Sequence, residues 1–426
     1  MTVARHDAEV IVVGGGPAGS SISFFLARAG VDVLVVDRAQ FPRDKPCSEY
    51  LSPQASRILY EMGMLERVEA AGAAQLTGMR VHAPNGSIIH GEFAATHGFR
   101  GFRDRGLALR RTILDAMLLS RARESGARVN ESVAVRSLLT DGARGRVTGV
   151  VIHDGRTTRE LRAPLVIGAD GLRSVIARRL GLARVGRWPR RMALVAHYSG
   201  VEGVGNFGEM YVDPEGYTGF ADVGSGVTNV AVVVPASQAR DMAGDTDGFM
   251  DRWLRRRPLL HAKVRDATRF GSVKATGPFN SRARRAWAPG AALVGDAADF
   301  FDPFTGEGIY AALRGGELLT SYAFDVARAT NSRKADVALA AWDRCLRDEF
   351  KGKRLVERAI GIAVAFPSLL DRAARSLSAR RELADLLVGV TGDFVPASEV
   401  LRPSFVARLL FPQRPDSPPA ALRRLS

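Results

Sequence analysis

Three glycines and an acid carry the clearest chemistry in this chain. Gly14, Gly16 and Gly19 stand in the spacing G-x-G-x-x-G within VVGGGPAGSS, and Asp37 follows 23 residues after Gly14. In that spacing the first glycine permits a tight turn, the second lets backbone approach a pyrophosphate, and the third allows a helix to pack closely on a strand. Pro17 suits the first helical position, where no amide donor is missed, and Ala18 continues into a helix whose free amides would face the phosphates. Asp37, with Arg38 after it, stands where a carboxylate accepts from ribose hydroxyls.

A second stretch, FPRDKPCSEYLSP from Phe41 to Pro53, holds three prolines, charges of alternating sign and one of the two cysteines. Pro42, Pro46 and Pro53 each fix φ and remove a backbone donor, so the segment reads as a rigid loop that offers Arg43, Lys45, Cys47 and Glu49 to a ligand or to a surface turn. Two later motifs return to the nucleotide theme. APLVIGADGLRSVIARRLG reads as a strand ending in Gly168-Ala169-Asp170-Gly171 and entering a helix, where Asp170 can serve a ligand or cap the helix. GAALVGDAADFFDPFTGEG reads as a strand ending in Gly295-Asp296, then a loop with Pro303, then Gly306 and Gly308 opening another helix.

The elements that must position these residues follow from hydrophobic patterning. Glu9 to Val13 (EVIVV) and Val31 to Val36 (VDVLVV) are short apolar runs of the kind found in buried parallel strands. Asn85-Gly86 signals a hairpin, and 191–199, 207–212, 216–222 and 227–234 read as short antiparallel strands separated by glycine. This predicts a sheet-rich unit inserted into a nucleotide-binding one. From Ala338 onward helical spacing returns, consistent with a helical cap over the cleft, and LRPSFVARLLFP is expected to pack on the body.

Together the three motifs resemble the flavoprotein hydroxylase and geranylgeranyl reductase group of FAD enzymes, whose marks are an N-terminal GxGxxG, a central GADG and a late GD followed by PxxGxG. The resemblance covers roughly residues 9 to 320. It implies an α/β fold: a glutathione-reductase-like FAD-binding Rossmann domain (1–75, 105–185 and 280–330), an interleaved antiparallel β-sheet substrate domain (76–104 and 186–279) and a C-terminal helical region (331–426). It also implicates Arg111, in a match to R-x-x-[LF]-D, and sets PRDKPCSEYLSP against PRxKxCGxxLSP, which runs beside the flavin ring in relatives. Ser48 replaces the glycine of that pattern, and serine resists the positive φ that glycine allows. Asp296 would accept ribityl or ribose hydroxyls, and the helix opening at Gly306 to Gly308 would aim its amides at the reducible end of the flavin.

Neighbouring branches separate by what is missing. Two cysteines, Cys47 and Cys345, cannot hold a four-cysteine iron–sulfur cluster, and no WxWxIP of halogenases occurs. Where prenyl reductases carry a pattern like PxxYxWxFP, this chain reads PEGYTGFAD: Pro214 and Tyr217 fit, while Gly219, Ala221 and Asp222 do not. Smaller residues there would widen a cavity. The resulting expectation is an NAD(P)H- and oxygen-dependent monooxygenase of an apolar ring-containing molecule in secondary metabolism. Prenyl-type reductase or dehydrogenase, halogenase and non-enzymatic escort-type binding protein are the alternatives. His82, His90, His97 and His197 fall in the substrate sheet without marking a catalytic role.

The 426 residues carry a formal charge of +15, but only six of the 60 basic residues are lysines, and the arginines are scattered rather than striped. With no nucleic-acid motif accompanying the charge, no nucleic-acid partner is expected. The two cysteines cannot build a disulfide framework, no signal-peptide core precedes Val10, and the apolar stretch AIGIAVAFPSLL is too short to cross a bilayer. These features predict a cytoplasmic protein with at most peripheral membrane contact.

Overall fold

The computed structural model describes residues 6–94, 97–142 and 145–411. At its centre the fully buried strand Val10–Val13 pairs in parallel with Leu165–Gly168 on one side and Val33–Val36 on the other. Arg128–Asn130 extends the sheet beyond Val33–Val36, Ala291–Leu293 extends it beyond Leu165–Gly168, and only the last strand, Trp287–Ala288, is antiparallel. Because the strands run parallel, the fingerprint turn, GADG and GD leave the sheet at the same edge. That carboxyl edge is where open α/β sheets bind ligands.

Two helices then point their N-termini at this edge. Pro17–Arg28 packs along Gly308–Ala327. Their close approach depends on Gly316, since a Cβ there would lie 2.7 Å from Ser21 Cβ and 2.8 Å from Ile22 N. Ser21 Oγ donates to Leu313 O at 2.8 Å across the contact.

A second sheet of seven strands takes the order Thr268–Thr276, Arg191–Ser199, Val227–Pro235, Gly216–Asp222, Phe207–Asp213, Gly78–His82 and Ile88–Glu92. Hairpin geometry matches the expectation at Asn85-Gly86, where Gly86 has φ +83° and Ala83 N donates to Ser87 O. The sheet departs from a purely antiparallel one at a single junction: Phe207–Asp213 runs parallel to Gly78–His82. Those strands are distant in sequence, so no hairpin fixes their relative direction.

Alternation along the strands divides two cores. Ala193, Val195, Met210, Val212, Tyr217 and Val233 face the C-terminal helices, whereas Leu194, Ala196, Tyr211, Phe220, Val232 and Val234 face a cover that includes Thr246–Arg255 and Pro258–Val264. The helix Ser332–Ala365 spans both units. Leu339, Trp342, Leu346 and Phe350 join the nucleotide-side core, while Val356 and Val364 join the sheet-side core. Near the C-terminus, Phe405 of Pro403–Leu410 is buried with Leu370 and Leu377, as expected of a segment packed on the body. Its motif ends at Pro412, which lies outside the described residues, as does the rest of the C-terminal region to 426. Among the described residues no helix is long and apolar enough to cross a membrane.

Candidate active site

The sheet edge and the inner face of the second sheet enclose one cavity of about 960 Å³. Of the residues singled out in the sequence, Gly14, Gly16, Pro17, Ala18, Asp37, Arg38, Arg43, Lys45, Cys47, Arg111, Asp170, Gly295, Asp296, Pro303, Gly306 and Gly308 all line it. Gly19 does not.

The three fingerprint glycines are required for three different reasons. Gly14 has φ +105°, and a Cβ there would meet Ala169 O at 2.5 Å. A Cβ on Gly19 would sit 1.8 Å from Gly14 O, so this residue serves the turn and not the cavity. Gly16 is extended at φ −75° and ψ −174°, and its Cβ would meet only Arg43 Nη2 at 3.2 Å and Arg111 Nη2 at 4.0 Å. A side chain there would extend toward these two guanidinium groups in the cavity and not into backbone. The first helical bond runs from Ser20 N to Gly16 O, so the Ala18 and Gly19 amides lie ahead of it. The Asp37 carboxylate accepts from Gly15 N at 2.7 Å and from Ala39 N at 2.8 Å, fixing the acid beside the turn.

Two arginines converge here on one buried acid. Arg111 Nε and Nη2 donate to Asp115 at 2.6 and 2.7 Å, and Arg43 Nη1 lies 3.0 Å from Asp115 Oδ2. Burial alone would lower the Arg111 pKa, but the Asp115 carboxylate and the Cys47 sulfur more than offset it and push it up. Arg111 therefore stays charged, and with Arg43 it places two guanidinium groups beside Gly16.

The Phe41–Pro53 loop is sewn into the molecule through Glu49, which is buried. Its Oε1 accepts from Arg111 N at 2.8 Å; its Oε2 takes Asn229 Nδ2 at 2.9 Å and lies 2.7 Å from His197 Nε2. Asn229 Nδ2 also donates to Cys47 O at 2.8 Å. Ser48, where the family pattern has glycine, does not take a positive φ; Glu49 beside it does, at +62°, where these partners hold it. Lys45 Nζ reaches Asp296 Oδ2 at 3.4 Å, linking the loop to the GD turn. Cys47 Sγ accepts from Glu49 N at 3.3 Å and packs against the nucleotide-side core.

Asp170 takes the capping role. It accepts from Ser174 Oγ and Val175 N at 2.6 Å each and from Ile176 N at 3.3 Å; burial raises its pKa, and these bonds oppose the shift. At the other motif Gly306 is left-handed at φ +73°, and the first helical bond after it joins Ala311 N to Glu307 O. The amides of Gly308, Ile309 and Tyr310 precede that bond and form the positive end of the helix. Asp302 anchors the loop, accepting from Arg191 Nη1 at 2.7 Å, Tyr217 Oη at 2.8 Å and Phe304 N at 3.0 Å. Tyr217 is thus a tether, and its pKa is raised by burial and by Asp302. Gly219 and Ala221 line the cavity as expected, but part of the space gained is refilled, since a Cβ on Gly219 would lie 3.0 Å from Met210 Sδ.

Sequence reasoning left Asp115, Asn229 and the role of His197 unassigned. Only Asp115 had a local signal, as the last residue of R-x-x-[LF]-D. His82 stacks on Tyr211, His90 packs edge-on to Phe207, and His97 stacks against Phe394. Burial lowers the pKa of both His82 and His97.

A glycine cradle, orphan amides at two helix starts and a paired-arginine anion site fit FAD. The chain belongs to the FAD binding domain family, whose model matches residues 7–321. It is 32% identical over 321 residues to digeranylgeranylglycerophospholipid reductase 2 of Methanopyrus kandleri, covering 73% of this chain and 75% of that one. Similarity to the menaquinone reductase of Mycolicibacterium smegmatis is 28% over 400 residues, 91% of this chain and 92% of the relative. Among solved structures, a geranylgeranyl bacteriochlorophyll reductase-like protein from Thermoplasma acidophilum superposes with a TM-score of 0.76 at 21% identity, over 94% of this chain and 96% of the other. FAD-dependent halogenases share the fold as well, at identities under 25%. The protein is an FAD-dependent oxidoreductase.

Proposed function

We propose that this oxidoreductase saturates a carbon–carbon double bond in a long apolar substrate of isoprenoid type, with NAD(P)H as the external reductant. The observation that carries the reading is the single cavity running from the glycine turn to an apolar wall formed by Ala193, Val195, Val233, Phe279 and Phe304. The reductase names of the two sequence relatives, one of them similar over nine-tenths of both chains, support it.

FAD, when bound, supplies the hydride. The Gly14–Gly19 turn would hold its pyrophosphate, Arg43 and Arg111 would neutralise the charge, and the amides at Gly308–Tyr310 would stabilise negative charge that develops on reduction. Asp302, tied to Tyr217 and Arg191, fixes the loop that sets this helix start against the sheet. The apolar wall aligns a hydrocarbon chain and keeps water from the reacting carbons.

Anaerobic incubation of the purified flavoprotein with NADPH and menaquinone or a geranylgeranyl lipid tests the reading. A product with two more hydrogens in its isoprenoid chain, scored after the quinone ring is reoxidised, is expected, and incorporation of an atom from labelled oxygen in an aerobic run would refute it. A second reading, hydroxylation of a ring system, is favoured by Gly219 and Ala221, which leave the cavity wall without the bulky residues that prenyl reductases resemble one another in carrying. That reading predicts oxygen incorporation in the same experiment.

A further inference from the structure

Where the helix Ser332–Ala365 passes from one core to the other, it turns Lys353, Arg354 and Glu357 toward the cavity. Ionisable groups in the wall of an apolar chamber are costly to desolvate and are retained where they are paired or used. Two of the three are paired. Arg354 Nε lies 2.6 Å from Asp299 Oδ2, and Lys353 Nζ contacts Glu307 Oε2 at 2.8 Å and also the Asp393 carboxylate. Glu357 lines the cavity and has no ion pair or hydrogen bond among the described residues.

Glu357 stands one helical turn from Lys353, on the same face of the helix. The charged groups around it are Lys353 and Arg354 on its own helix and Asp299 and Asp302 on the segment after the GD turn. Burial pushes the Glu357 carboxyl up, to about 7; Asp299 and Asp302 act in the same direction, and Lys353 and Arg354 oppose them. Burial likewise pulls the Lys353 ammonium down from the usual lysine range, against the Glu357 carboxylate. Burial thus favours the neutral form of each group, while each charge favours the charged form of the other. The pair is also well placed, because the Lys353 contact with Glu307 joins it to the residue just before Gly308, at the helix start assigned to the flavin.

We propose that Glu357 donates a proton to the substrate and that the Lys353 cation, one helical turn away, tunes its carboxyl, an inference that rests on the reductase reading. The O–H bond of Glu357 would break and a C–H bond would form at one alkene carbon, the other carbon taking the hydride that FAD would supply. Glu357 would be left as a carboxylate and would take a proton back from water entering the cavity.

The test uses the FAD-loaded full chain and two variants, Glu357→Gln and Lys353→Met. Carbon-13 NMR of labelled glutamate should show one carboxyl titrating near 7, absent in Glu357→Gln and moved to higher pH in Lys353→Met, where an opposing cation is gone. With menaquinone and a geranylgeranyl lipid as probes in deuterated water, wild-type product should carry solvent deuterium at the protonated alkene carbon. Glu357→Gln should convert either probe at least about 100-fold more slowly, the loss expected of a general acid, while NADPH reduces its flavin at the wild-type rate. Glu357→Asp should recover part of the loss. A Glu357 carboxyl titrating below about 5, in the ordinary range, or wild-type turnover by Glu357→Gln overturns the proposal. Oxygenated product, or no conversion of either probe, sinks the reductase reading instead, and the titration still decides whether Glu357 carries a transferable proton.

Discussion

Replacing Gly16 by valine should abolish FAD binding while leaving the apoprotein folded. The backbone at Gly16 is extended, a conformation valine adopts freely, and the new Cβ meets only the flexible end of Arg43 at 3.2 Å. Its two methyl groups, however, would fill the space between the Ala18 and Gly19 amides and the Arg43–Arg111 pair. Moving a pyrophosphate away from two such donors forfeits about 1.5–3 kcal/mol for each charge-assisted bond, or about 3–6 kcal/mol together, which weakens Kd roughly 10²- to 10⁴-fold. Flavin fluorescence titration of the apoprotein gives Kd, and denaturant unfolding of the same samples gives apoprotein stability. Gly19→Ala is the informative contrast, because its Cβ would collide with backbone at 1.8 Å and must destabilise even the apoprotein. If Gly16→Val retains stoichiometric FAD at unchanged Kd, the assignment of this turn to the pyrophosphate fails.

Asp115→Asn should cost the fold about 3–5 kcal/mol by leaving the buried Arg111 guanidinium without its counter-charge, read as a lower denaturation midpoint; an unchanged midpoint would refute this account of the pair. Cys47→Ser should keep FAD and turnover, since the thiol accepts a hydrogen bond and fills space; a substrate or flavin adduct on Cys47 seen by intact mass would contradict this. A carboxyl raised in the folded state favours folding when protonated and loses that contribution as pH rises from its unfolded value of 4.5 to about 7. Stability of the wild type should therefore fall relative to Glu357→Gln across that window, and parallel curves would show that Glu357 titrates normally.

Much of the nucleotide half was legible because its constraints are local. A turn that needs φ +105° at Gly14, contact with its carbonyl at Gly19 and an open phosphate approach at Gly16 writes its steric demands directly into residue type and spacing. The apolar runs 9–13 and 31–36 marked parallel strands for a related reason, since strands covered on both faces tolerate few polar residues. Short runs separated by glycine and the Asn85-Gly86 turn likewise marked strands of the second sheet, though not Thr268–Thr276. They did not fix the parallel pairing of Phe207–Asp213 with Gly78–His82, whose direction depends on a connection of more than a hundred residues. The monooxygenase expectation rested on absent motifs and a smaller Gly219, whereas packing decided that Met210 would lean into part of that space.

The sequence alone marked the glycine turn, GADG, GD and the proline-rich loop, which the structure gathers around one cavity. Tertiary structure decided what makes the loop rigid: Glu49 accepts from Asn229 and Arg111 and meets His197, partners brought together only when two sheets dock. It likewise decided that Asp115 would serve two arginines and that Lys353 and Glu357 would face the cavity. Backbone sterics act over a few residues and leave a readable pattern. The pairing of buried charges acts through space, and helix Ser332–Ala365 brings Lys353 to Glu307 and Arg354 to Asp299 only by packing across both cores.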